Sequence, residues 1–175
     1  PERAKQMISE AGMAGKRIKI YISAEPEVLD ILEVIQQYLS RAGLIAEIVQ
    51  LDWSAYKEAL NKSEADAFWL SWWADYPDPE NFFYPMFHSS NAGPGGNRTW
   101  YNDRKFDRLI EQAQSTADER TRFSLYQRAN DHIVKNAPWV FMWHRSDIYV
   151  FQKTVRDFRI YPIYSVDKGM DVSLK

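Results

Sequence analysis

Between residues 16 and 73 the hydrophobic period of this chain switches repeatedly between two and about 3.6 residues, and that alternation limits its folds more than any other feature. "KRIKIYIS" (16–23) alternates apolar and polar positions, which places Ile18, Ile20 and Ile22 on one face of a strand. Pro26 then opens a segment in which Val28, Ile31, Leu32, Ile35, Tyr38 and Leu39 recur at helical spacing, and Gly43 closes it. "LIAEIVQL" (44–51) returns to a strand. Asp52 is placed to cap a short helix with Trp53, Tyr56 and Leu60 on one face. "ADAFWLSWW" (65–73) reads as a third strand. Strand, helix, strand, helix, strand predicts an α/β fold: a largely parallel sheet, joined by right-handed crossovers and flanked by helices.

The rest of the chain reads differently. "RAKQMISEA" (3–11) predicts a short helix, with Gly12 and Gly15 at its end. The Pro- and Gly-rich stretch from Pro77 to Arg98 predicts a long loop with about one helical turn. A helix starting near Asn102 or Asp103 buries Phe106, Leu109, Ile110 and Ala113. A second follows "STADE", where Thr116 and Glu119 have capping-box spacing, and it buries Phe123, Tyr126, Ala129 and Ile133 until Pro138 stops it. "WVFMW" (139–143) and "DIYVF" (147–151) read as strands. "VRDFRIYPIYSV" (155–166) reads as extended with turns, and the final "DKGMDVSLK" as peripheral. The opening "PERAKQ" has no Met and begins inside a helix-like pattern, which predicts a mature piece or a fragment.

Composition narrows the function classes. The 175 residues suffice for one domain with a core. A net charge of −2 offers no basic field for nucleic acid, and the "RKFDR" cluster (104–108) has no accompanying motif. With no Cys, disulfides, thiolate nucleophiles and Cys-ligated metals are excluded. No apolar run reaches the ~18 residues of a membrane helix. The seven Trp, ten Tyr and nine Phe suit a core or a binding surface equally.

Chemistry is concentrated in "FWLSWWADYPDPENF" (68–82). If the third strand ends near Trp73, Asp75 lies just past its carboxyl end, where ligands bind in open α/β sheets. Trp72 and Trp73 then point to opposite faces, so one can wall a pocket. A carboxylate held between Trp73 and the stiffening Pro77 and Pro79 suits a cationic group such as an ammonium. Asp75 is equally well explained as a turn residue that accepts from nearby backbone amides. Asp78 and Glu80 read as turn and helix-start residues. Paired with Asp75, either would also meet the two-carboxylate requirement of a carbohydrate-active hydrolase. "NAGPGGNR" (91–98) lacks the ending and setting of a phosphate loop and reads as flexible. His88, His132 and His144 show no metal-ligand spacing and read as packed or surface residues. There is no Gly-x-Ser-x-Gly elbow.

"EAG" (10–12), "WWADYPDPENFF" (72–83) and "YNDRKFDRLIEQAQSTADERTRFSLYQRANDHIVKNAPWV" (101–140) together resemble the extracytoplasmic solute-binding proteins of peptide and nickel ABC importers. The resemblance implies two hinged lobes that close on a ligand. Residues 1–137 would be the second lobe, and 138–175 a segment returning toward the hinge and a first lobe outside this chain. It implies that Asp75 pairs with the α-ammonium of a short peptide, with Trp73, Ala74, Tyr76 and Trp72 contributing to the cavity. It further implies delivery to an ABC permease, a periplasmic or cell-surface location with lipid anchoring as one option, no cofactor, no metal, no nucleic-acid partner and no catalysis. The same family takes oligosaccharides and nickel or haem complexes, so ligand class stays open.

Overall fold

The structure, a computed structural model, describes residues 1–143, 146, 148–159 and 172–174. It packs as two compact units, Pro1–Ser71 and Trp72–Lys175.

The first unit holds the predicted alternation. Helix α1 (Glu2–Glu10) leads to strand β1 (Arg17–Ser23), helix α2 (Pro26–Ala42), strand β2 (Ile45–Leu51), helix α3 (Trp53–Asn61) and strand β3 (Ala67–Phe68). The strands are parallel and β1 lies between the other two. Because β1 is central, both its faces are covered, as parallel sheets require. Ile20 and Ile22 pack with Val28 and Leu32 of α2, while Tyr21 packs on the other face with Tyr56 and Leu60 of α3. Local chemistry sets the boundaries. Pro26 opens α2 and Gly43 closes it at φ 104°, a backbone that favours glycine. The Asp52 carboxylate accepts from the Ser54 and Ala55 amides to start α3.

Three details differ from the expected pattern. Tyr38 and Trp53 sit at the rims of their helical stripes and are exposed. Each instead lies under a cation, Arg41 over the Tyr38 ring and Lys57 over the Trp53 ring. β3 covers two residues rather than the nine of "ADAFWLSWW": β1 continues alongside to Ser23, but the Trp69 carbonyl accepts from the Tyr56 hydroxyl instead of from the strand. β3 pairs with Ile20 and Tyr21, and the Trp69 amide adds one bond to the Tyr21 carbonyl. Ser71 onward is loop.

The second unit is helical. Helices α4 (Glu80–Phe87), α5 (Arg104–Ser115) and α6 (Glu119–Asn136) surround a core of Met86, Phe87, Phe106, Ile110, Ala129 and Ile133, among others. The expected buried stripe of α5 is present in full. On α6, Leu125 takes the core position expected of Phe123, which is exposed. The cap of α6 is Asp118, accepting from Thr121, whereas Thr116 belongs to the end of α5 and donates to the Gln112 carbonyl. Asp118 lies next to the first helical residue and outcompetes the hydroxyl as an acceptor.

The stretch expected to be a flexible loop is ordered by its own side chains. Besides α4 it forms single 3-10 turns at Ser89–Asn91 and Gly93–Gly95. The Asn97 side chain is fully buried. It donates to the Tyr101 carbonyl at 2.8 Å and the His88 carbonyl at 3.2 Å, and accepts from the Thr99 hydroxyl and the Tyr101 amide. Beside it Gly96 (φ 130°) lets the chain pass so close to the Pro85 carbonyl that a Cβ would stand 2.6 Å from its oxygen.

The described residues of "WVFMW" and "DIYVF" form no strand. Val140, Ile148 and Val150 are almost fully exposed, and among the described residues no strand pairs with them. Tyr149, Phe151 and Phe158 pack on one another instead. Val155–Arg156 pairs antiparallel with Ser173–Leu174. The remainder of "VRDFRIYPIYSV" from Ile160 onward, His144, and most of the final nine residues lie outside the described residues.

Candidate functional site

The stretch from Trp72 to Pro79 links the end of the strand region to the first turn of α4, and one buried amide shapes it. Asn81, in that first turn, is 5% exposed. Its Oδ1 accepts from the Asp75 backbone amide at 2.9 Å and the Trp72 indole N–H at 3.4 Å. Trp72 is half-buried and packs against the core of the helical unit. Trp72 and the candidate anchor are therefore tied to one atom.

The other acidic residues complete the loop's framework. Asp78 Oδ1 accepts from the Glu80 amide at 2.9 Å, the turn role expected for it. Its Oδ2 pairs with Arg122 of α6 at 2.5 Å. Glu80 begins α4, as expected, and accepts from the Tyr76 hydroxyl and from Gln114 of α5. The Asn81 amide beside the Tyr76 hydroxyl lowers its pKa, but Glu80, burial and Asp78 together push it up. Burial, with Asp78 and Glu80 adding to it, raises the Tyr126 hydroxyl under Arg122.

Asp75 stands apart from this framework. Its residue is exposed, and among the described residues its carboxylate takes no hydrogen bond or ion pair; only its backbone N–H is used. It is therefore not the self-capping turn residue that the sequence equally allowed. Trp73 is 68% exposed, Tyr76 is exposed apart from its bond to Glu80, and Ala74 is half-buried. The loop thus presents one unpaired anion and an indole on a backbone pinned at both ends. An unpaired carboxylate on a held backbone, two residues from an exposed indole, suits a cationic or amine-bearing ligand. Asp78, by contrast, is ion-paired to Arg122, and Glu80 accepts hydrogen bonds from Gln114 and Tyr76.

The remaining polar clusters are structural. Asp103 caps α5 through the Lys105 and Phe106 amides and meets His132 Nε2 at 2.8 Å. Burial opposes its charge, but His132 and the two amides outweigh that and hold it at about 2. Burial, then Asp103, pushes the neighbouring Tyr101 hydroxyl up to about 12. His88 is buried, with Asp107 and Glu111 facing its Nε2 and Ser90 against Nδ1. Among the described residues no three His, Asp or Glu side chains are placed to hold a metal ion, and no helix is long and apolar enough to cross a membrane.

Sequence reasoning missed three residues around this loop, Asn81, Gln114 and Arg122. Asn81 left a trace, a polar residue immediately before two Phe in a first helical turn. Gln114 and Arg122 left none, since they reach the loop from far along the chain.

Comparison with known proteins places the chain in a family. Residues 1–94 match the family described as bacterial extracellular solute-binding proteins, family 5 middle. Di/tripeptide-binding protein 4 of Pseudomonas aeruginosa is 29% identical over 168 residues, covering 93% of this chain and 32% of that protein. Heme-binding protein A of Haemophilus influenzae is 29% identical over 150 residues, 82% of this chain and 27% of that protein. Among solved structures, the periplasmic binding protein DppA from Helicobacter pylori, in complex with peptide STSA, superposes with a TM-score of 0.77. It shares 25% identity, over 99% of this chain and 34% of that one. The chain therefore spans about a third of the length of the relatives it matches.

Proposed function

The chain belongs to the bacterial extracellular solute-binding proteins of family 5, and we propose that it is the second lobe of an ABC-importer receptor that captures short peptides. In this reading Asp75 pairs with the ligand's terminal ammonium, and Trp73, Ala74, Tyr76 and Trp72 form the adjoining wall. The observation that carries it is the contrast within one loop. Every other acidic group there is engaged, while the Asp75 carboxylate is held out, exposed and unpaired. With the backbone of Asp75 already held, only its short side chain is ordered on binding, so little of the ammonium contact is offset. Once a first lobe closes over it by hinge motion, the pair is desolvated. It then discriminates strongly for a free amine, because an acylated nitrogen would leave the carboxylate buried and unpartnered.

The reading places the protein outside the cytoplasmic membrane, lipid-anchored or free, delivering its ligand to an ABC permease without covalent chemistry. The likeness to di/tripeptide-binding proteins and to a receptor solved with a bound tetrapeptide supports it. Titration calorimetry on the full-length protein with trialanine and N-acetyl-trialanine tests it. The free amine should bind at least about a hundredfold more tightly, and Asp75→Asn should remove most of that preference. Equal affinity of the wild-type protein for both ligands refutes the anchor.

A second reading, a haem receptor, follows from the relative named for haem binding and the exposed Trp73 ring. A visible-absorbance titration with haemin separates the two.

A further inference from the structure

A carboxylate can select an ammonium only if its direction is fixed, and the loop carrying Asp75 has no strand or helix to fix it. From the geometry around the first turn of α4 we infer that Asn81 is the positioning residue of this site: its side-chain oxygen sets both the backbone of Asp75 and the plane of Trp72. The inference rests on the reading of Asp75 as the ligand anchor, and it assigns to Asn81 a role distinct from ligand contact.

Three features support it. Asn81 is buried to within 5% of full enclosure, so its amide is held by packing and cannot follow the loop if the loop moves. The two groups that face its Oδ1, a backbone N–H and an indole N–H, are both donors without acceptor capacity. The atom between them must therefore be the oxygen, which fixes the carboxamide's orientation on chemical grounds. Finally, the Asp75 amide has no other acceptor among the described residues, so the loop has no substitute for this bond. The Asp78–Arg122 pair holds the far side of the same turn. Asp75 is thus pinned at its own amide and again three residues on, and the carboxylate projects from the intervening bend.

The consequence concerns selectivity rather than overall affinity. Removing the Asn81 oxygen releases the Asp75 amide, so the carboxylate samples several directions. The amine-dependent part of binding then falls, while contacts to the rest of a peptide are untouched. Asn81→Leu keeps the approximate volume and removes the acceptor. Asn81→Asp keeps an acceptor oxygen in the same place and serves as the conservative rescue.

The experiment uses the full-length protein with trialanine and N-acetyl-trialanine, plus hydrogen exchange at the Asp75 amide and the Trp72 indole. In the wild-type protein both N–H groups should exchange slowly relative to the neighbouring loop amides. In Asn81→Leu both should lose protection, and the free-amine preference should fall by about tenfold. The acetylated peptide should bind as before. Asn81→Asp should restore the preference to within about threefold. Unprotected exchange at the Asp75 amide in the wild-type protein overturns the inference without need of any variant. So does an Asn81→Leu protein that keeps the wild-type preference while Asp75→Asn loses it. If Asp75→Asn itself leaves the preference intact, the anchor reading fails, and the positioning role fails with it.

Discussion

Replacing Arg122 tests how firmly α6 holds the loop that carries Asp75. The guanidinium and the Asp78 carboxylate are 2.5 Å apart, with side chains 35% and 21% exposed. At an effective dielectric near 20, two such charges attract by roughly 4 kcal/mol. Partial exposure, residual desolvation and the ordering of the long Arg side chain reduce this to a coupling of about 1–2 kcal/mol, above the usual surface pair. The single variants should differ. Arg122→Met keeps an aliphatic stem but removes the guanidinium that lies over the Tyr126 ring, and should cost about 1–2 kcal/mol. Asp78→Ala also leaves the Glu80 amide without its acceptor at the start of α4, which adds about 1 kcal/mol. A double-mutant cycle by urea unfolding reads the coupling directly. It should persist at about 0.5 M salt, because the pair is partly shielded from solvent. Single-variant losses that simply add, with a coupling below about 0.3 kcal/mol, would refute the claim that this pair tethers the site.

Two further outcomes follow from the packing of the same unit. Asn97→Ala leaves the His88 and Tyr101 carbonyls and the Tyr101 amide short of partners in a fully buried position, so equilibrium unfolding should show a loss of about 3–5 kcal/mol. Asp103 titrates at about 2 when folded against an ordinary 3.8, so its charge contributes stability above pH ~4 that is lost as pH falls toward ~2. Its side chain is 26% exposed, which limits the contribution to about 2 kcal/mol. Asn still caps a helix, so the difference in stability between wild type and Asp103→Asn should shrink by that amount between pH 7 and 2.5. A constant difference would show that the charge contributes nothing.

Much of this fold was legible because its signals are local. The period of β1, α2, β2 and α3, the proline and glycine that bound α2, and the Asp52 cap each depend on residues within a turn or two of one another. The same holds for the core stripe of α5. β3 was overestimated because the Tyr56 hydroxyl takes the Trp69 carbonyl that would continue the ladder, and "ADAFWLSWW" carries no record of that contact. The Gly-rich stretch misled for the complementary reason. Its order comes from one buried asparagine that collects carbonyls and an amide from three directions, which no run of residue types announces.

The candidate site divides along the same line. The sequence alone determined that an aspartate would sit in a proline-stiffened loop, flanked by Trp73 and Tyr76, with Asp78 in the turn and Glu80 starting the next helix. Chain order and rotational restriction suffice for that. Which carboxylate is left free was decided by the tertiary structure. Arg122 and Gln114 arrive from α6 and α5 to engage Asp78 and Glu80, and Asn81 turns inward to hold the amide of Asp75 but not its side chain. A carboxylate is available for a ligand only when the fold has not already engaged it, and that depends on what the distant helices bring to it.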